Sequence, residues 1–138
     1  MSAEMHINPP KLTTTQVAIL TVYGAVLWLI AAMLVRIIGP MGALDGGWGA
    51  LTYTLVIPGT VPAIIAARPL ARLRRDQTLA GIVVVTATAL LLDGIAHAWF
   101  SELYGTDPAL IIKGAAVIFW GAGVGLVLAF AMNKENAI

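Results

Sequence analysis

The sequence predicts an all-α membrane protein whose four hydrophobic helices span a bilayer as a bundle of two hairpins. Three observations carry that prediction. Of 138 residues, 59% are hydrophobic and 11% charged, against about a quarter charged in a typical soluble domain, and the mean hydropathy is +0.91. A soluble fold this short leaves much of its surface in water and could not hide so much apolar area. The apolar residues also fall into four stretches, each near the roughly 20 residues that a helix needs to cross hydrocarbon. The charges gather between these stretches.

Residues 1–12 are polar and hold Pro9 and Pro10. They read as a cytoplasmic arm, and the first apolar run is too long for the core of a cleavable signal peptide. The first span is read over 13–38. Thr13, Thr14 or Thr15 offers a cap for its first amides, its centre (VAILTVYGAVLWLIAAMLV) is uncharged, and Gly39 and Pro40 stop it. A glycine-rich loop leads to Trp48, a residue type that anchors helices at the membrane interface.

The second span is read over 48–67 and contains Pro58, Gly59 and Pro62. The two prolines lie four apart on one face. Each removes an amide and frees a carbonyl one turn earlier, at Thr54 and Pro58, so a kink is expected. In lipid such carbonyls need partners, and Tyr53, Thr54 and Thr60 supply hydroxyls nearby. An opened helix of this kind can line a solute site. An ordinary packed kink is the plainer reading, because proline is frequent in membrane helices.

The loop that follows carries Arg68, Arg72, Arg74 and Arg75. Basic residues in short loops stay cytoplasmic. With Lys11 and Lys134 they place six of the eight basic residues on one side, leaving Arg36 and Lys113 towards the other. Both termini are therefore expected to be cytoplasmic. The same arginines suit anionic lipid headgroups. Nucleic-acid binding is not expected, since no folded basic domain stands behind them.

The third span is read over 78–100, from a bland apolar run through Asp93 and His97 to Trp99 and Phe100. Pro108 suits the first turn of the next helix. The fourth span, 109–132, carries Lys113 near its start and the small residues Gly114, Gly121 and Gly125. Such a stripe lets backbones approach closely. Packing within the bundle is the plainer use, and a dimer seam is the alternative. Residues 133–138 form a short cytoplasmic tail, and 13–132 make one domain.

The ionisable residues inside apolar spans are the sharpest candidates for function: Asp93, His97, Lys113 and Arg36. Insertion scales put a charge at mid-span at roughly 2.5–3.5 kcal/mol, so such groups face protein or water and find partners. Asp93 is deepest, about 10 Å below Phe100 at 1.5 Å per residue. It shares a small, polar face with Thr86 and Ala89, and His97 stands one turn above it. Asp93 is expected to pair with Lys113 or Arg36. One reading is an outward-facing polar cavity that handles a solute or a proton, since histidine titrates near neutral pH. The other is a structural ion pair in an accessory subunit of a larger membrane complex.

Catalytic signatures are missing: there is no H-E-x-x-H, P-loop or G-x-S-x-G. An enzyme is therefore not expected, nor is a cofactor. No metal site is expected either. His6 and His97 fall on opposite sides of the membrane, and Asp93 with His97 falls short of the three or four ligands that transition metals take. A single axial histidine is the remaining way to hold a haem or chlorin. There is no cysteine, which excludes disulfides and thiolate chemistry.

The stretch LLDGIAHAWFSELYG (91–105), followed by KGAAVIFWGAGVGLVLAF (113–130), resembles the third and fourth helices of a small bacterial membrane family of unknown function, the DUF5367 group. The resemblance rests on Asp93 after the leucine run, the aromatic outer end near Phe100 and Tyr104, and the small-residue stretch before Trp120. It covers the second half of the chain, and the first half in outline. It implies four spans in a bacterial cytoplasmic membrane and transfers no activity. Membrane lipids are the expected partners, together with a second copy or a larger membrane complex. Four helices make a narrow bundle, so a conducting pathway would need a dimer.

Overall fold

The computed structural model describes residues 11–134, which form four long helices: α1 (Thr14–Ile38), α2 (Gly46–Ala71), α3 (Thr78–Trp99) and α4 (Pro108–Met132). Short 3-10 turns at Gly39–Met41, Arg75–Gln77 and Ser101–Leu103 lie in the connections. No strand occurs among the described residues. All four helices are long and apolar enough to cross a membrane. Their outer faces carry large exposed apolar side chains such as Val22, Leu34, Leu55, Leu91, Ile112 and Phe130, a surface suited to lipid rather than water. Most of the arm and the tail lie outside the described residues, His6 among them.

Local sequence sets the helix ends. Thr13 caps α1: its hydroxyl accepts from the Gln16 amide, and the Gln16 side chain accepts in return from the Thr13 amide. Asp107 caps α4, with Pro108 at the first helical position. The second helix is longer than its expected span. It runs through Pro69 and ends only where Arg72 turns into the left-handed region at φ 51°. There the Leu73 amide reaches back to the Arg68 carbonyl at 2.8 Å, the closing bond of a Schellman end. Arg68 therefore belongs to the helix and not to the loop.

The hairpin arrangement is looser than expected. The most extensive pairing joins α1 to α3, which run in the same direction; α4 packs on both α2 and α3, and α1 touches α2 far less. The reason is a close approach at Gly24. A Cβ there would stand 2.7 Å from the Val85 carbonyl and 3.0 Å from Thr88 Cβ, so the missing side chain lets α1 and α3 meet. Gly114 does the same for α4 against Val35 of α1, where a Cβ would lie 2.4 Å from a valine methyl. Gly121 and Gly125 face Val56 and Thr60 of α2 at ordinary contact distance.

Two apolar clusters fill the bundle. Leu20, Ile64, Ile82 and Val85 centre the one nearer the arginines. Ala32, Val35, Ala96, Tyr104 and Val117 centre the other. The arginine-rich end is tied by polar bonds. Buried Gln77 donates to the Lys11 carbonyl and accepts from the Arg74 amide, while Gln16 donates to the carbonyls of Ala71 and Arg72. Arg68 donates to the Met132 carbonyl and to Thr78, covering an orphan carbonyl at the end of α4. Arg74 pairs with Asp76, while Arg72 and Arg75 are exposed.

Candidate functional site

The opposite end of the bundle holds Asp93, and the structure corrects its expected partners. Neither Lys113 nor Arg36 reaches it. Lys113 pairs with Asp45, the residue that precedes α2, in an exposed ion pair. Arg36 donates to the backbone carbonyls of Glu102 and Leu103. The physical reason is position: both cations sit at helix ends, where long side chains extend to the interface rather than inward. The Asp93 side chain points inward from α3 and is 7% exposed.

Its partner is Tyr104. The tyrosine hydroxyl donates to Asp93 Oδ1 at 2.5 Å and accepts from Trp28 Nε1 at 3.2 Å. Trp28 belongs to α1 and Tyr104 to the loop after α3, so one hydrogen-bonded chain joins three segments. Burial, and next the Asp93 carboxylate, hold the Tyr104 phenol well above its ordinary range, so the hydroxyl keeps its proton and remains the donor. The His97 ring stacks on Tyr104 with centroids 3.9 Å apart. His97 Nδ1 lies 2.9 Å from the Asp93 carbonyl. A carbonyl only accepts, so Nδ1 carries the hydrogen. The other ring nitrogen, Nε2, is buried with no hydrogen-bond partner among the described residues.

Asp93 stands on the wall of two cavities. The larger, about 610 Å³, runs between all four helices from Ala43 and Ile38 towards Ile82 and Gly125. Its lining is nearly all apolar, so the polar cavity expected around Asp93 is instead a greasy one with a single carboxyl on its wall. Thr86 and Ala89 line it too, as their shared face with Asp93 implies. Ile30 and Leu34 of α1 and Leu55 of α2 line the cavity and are about half exposed. The mouth therefore lies between α1 and α2, the sparsely packed pair, facing sideways. The smaller cavity, about 270 Å³, lies between α3 and α4 and shares Leu90, Asp93 and Ile118 with the larger. His97 and Phe119 also line it.

The proline face of α2 does not build this site. Pro58, Pro62 and Pro69 are exposed, and the helix continues through all three. The nearby threonines bond to carbonyls other than those the prolines free: Thr54 to Ala50 and Thr60 to Val56. Tyr23 of α1 donates to the Ala63 carbonyl at 2.7 Å, and Trp120 of α4 to the Tyr53 carbonyl at 2.9 Å. These bonds tie α2 to its neighbours. Gly59 and Thr60 reach the cavity wall.

Sequence reasoning missed Trp28 and Asp45, and it named Tyr104 only as part of an aromatic end and not as the partner of Asp93. Asp45 carried a signal, as an acid at the same end of the bundle as Lys113. Tyr104 carried only its place in a loop, which does not predict a fold back onto α3. No group of acidic and histidine side chains able to hold a metal occurs among the described residues.

Compared with protein-family models, with curated proteins and with solved structures, the chain finds no match.

Proposed function

We propose that this protein admits a small apolar or amphipathic solute from the bilayer into the space between its helices and holds it against Asp93. One observation carries the reading: a carboxyl buried to 7% exposure lies on the wall of a 610 Å³ apolar cavity that opens sideways. Ligand cavities commonly measure roughly 300–1,000 Å³, apolar with a few polar groups that set orientation. An ionisable group within a span marks a solute or proton pathway by default, and among the described residues Asp93 is the only acid or base lining the larger cavity. The distribution of Lys and Arg supports both termini and the arginine-rich turn on the cytoplasmic side, and a bacterial inner membrane is what the family resemblance implies. In that setting exposed Arg72 and Arg75 meet lipid headgroups.

The test is uptake into proteoliposomes of neutral, anionic and cationic apolar solutes, with a pH-sensitive dye inside to follow protons. Asp93→Asn is expected to abolish whatever flux the wild type supports, while the protein stays folded. A variant that moves the same solute at the wild-type rate refutes the role of Asp93.

A second reading has its own observation. The Trp28–Tyr104–Asp93 chain joins α1, α3 and the loop between α3 and α4, as a packing device in an accessory subunit would. Unfolding of Asp93→Asn in the same preparation favours that reading.

A further inference from the structure

The shape and lining of the larger cavity narrow the class of solute, on the basis of the solute site proposed above. Its α3 wall runs from Asp93 to Ile82, eleven residues apart and so about 16 Å at 1.5 Å per residue. One leaflet of a bilayer offers about 15 Å of hydrocarbon, half of a core about 30 Å thick. The wall therefore has the length of one lipid chain lying parallel to the helices. Between Asp93 and Ile82 its only polar side chain is Thr86. Elsewhere in the lining, donors are spent on protein oxygens: Trp28 on the Tyr104 hydroxyl, Thr52 on the Ala43 carbonyl and Thr60 on the Val56 carbonyl.

At the head of this wall Asp93 Oδ1 accepts from Tyr104, and Oδ2 makes no hydrogen bond among the described residues. Of the described side chains, only His97 has a polar atom that is both sealed and without a partner, so Asp93 Oδ2 keeps accessible surface. No Lys, Arg or His lines this cavity, and an anionic head would meet Asp93 with no countercharge. The mouth is unsuited to a fixed charge of either sign. Ile30 and Leu55 flank it, and they stand about 12 and 14 Å from the nearer ends of α1 and α2 at 1.5 Å per residue. That depth is hydrocarbon, where an entering charge loses its hydration with nothing to replace it. A hydroxyl enters at less cost. It also bonds a carboxyl in either charge state, donating to a carboxylate and accepting from a carboxylic acid.

We propose that the solute is an uncharged lipid with a hydroxyl head on a long hydrocarbon chain. It enters from the bilayer through the gap between α1 and α2. Its hydroxyl bonds Asp93, and its chain lies along α3 towards Ile82.

The experiment uses the full chain in phosphatidylcholine nanodiscs and follows the fluorescence of Trp28, the tryptophan that lines the cavity, with Trp48, Trp99 and Trp120 replaced by phenylalanine. Four probes brominated at mid-chain quench it on contact: octadecanol, octadecane, octadecyl sulfate and octadecyltrimethylammonium. The alcohol is expected to quench saturably and to bind about fivefold or more tighter than the alkane, the scale of one net hydrogen bond. Both charged probes are expected to bind more weakly than the alcohol. Asp93→Leu is expected to bring the alcohol down to the alkane. Gly59→Phe adds a ring to the cavity wall at a position where a Cβ meets nothing within 4 Å. It is expected to abolish saturable quenching by every probe, which keeps the test valid if Asp93→Leu misfolds. Equal binding of alcohol and alkane, tightest binding of a charged probe, or an alcohol preference that survives Asp93→Leu overturns the hydroxyl-lipid assignment and leaves the cavity standing as a solute site. Quenching that never saturates, or that Gly59→Phe leaves unchanged, overturns the assignment and the solute site together.

Discussion

Tyr104→Phe isolates the hydrogen-bonded chain that holds Asp93. The substitution removes one oxygen and keeps the ring, its volume and its stacking on His97. That oxygen donates to Asp93 at 2.5 Å and accepts from Trp28 at 3.2 Å. Tyr104 is 1% exposed and Asp93 7%, so water is poorly placed to replace it. A hydrogen bond to a charged group contributes about 1.5–3 kcal/mol and a neutral one about 1 kcal/mol. The two together predict a loss of about 2.5–4 kcal/mol. The assay is reversible unfolding in mixed micelles, titrated with dodecyl sulfate and followed by far-UV circular dichroism. Tyr53→Phe is the control, since no hydrogen bond of its hydroxyl occurs among the described residues, and it is expected to shift stability by no more than about 0.5 kcal/mol. Adding Asp93→Leu to Tyr104→Phe is expected to cost less than the two separately, because both partners are then apolar. A Tyr104→Phe protein as stable as the Tyr53→Phe control refutes the argument that this chain holds Asp93 in place.

Three further outcomes follow from the same geometry. Gly24→Ala forces a Cβ to within 2.7 Å of the Val85 carbonyl, and overpacking of this kind is expected to cost about 1–3 kcal/mol in the same unfolding assay; an unchanged midpoint would show that α1 and α3 separate freely. The Lys113–Asp45 pair is about half exposed on both sides, so a double-mutant cycle with Lys113→Gln and Asp45→Asn is expected to give a coupling of about 1 kcal/mol or less, and a coupling of several kcal/mol contradicts its placement at the interface. Above about pH 10 an unfolded chain loses the Tyr104 proton that the folded protein keeps, because burial and Asp93 raise the folded-state pKa. The folded state then binds more protons than the unfolded one, and stability falls as pH rises; Tyr104→Phe is expected to fall less steeply than wild type between about pH 9 and 11.

The amino-acid sequence by itself determined the solvent and the segments. Long uncharged runs have no stable place in water at this chain length, and they stand in the structure as four helices. Thr13, Asp107, Pro108 and Gly39 mark boundaries because capping and proline chemistry act over three or four residues. The inward direction of Asp93 was also legible, from the small face it shares with Thr86 and Ala89. Tertiary structure alone decided which groups meet. Lys113 and Arg36 lie at plausible depth for Asp93, yet a helix fixes only the rotation and height of its own residues. Gly24 drew α1 onto α3 instead of α2, a loop tyrosine folded back to meet the carboxyl, and the poorly packed α1–α2 side became the mouth of a cavity. Those outcomes depend on how four surfaces fit together in space, and no local spacing in one chain encodes that fit.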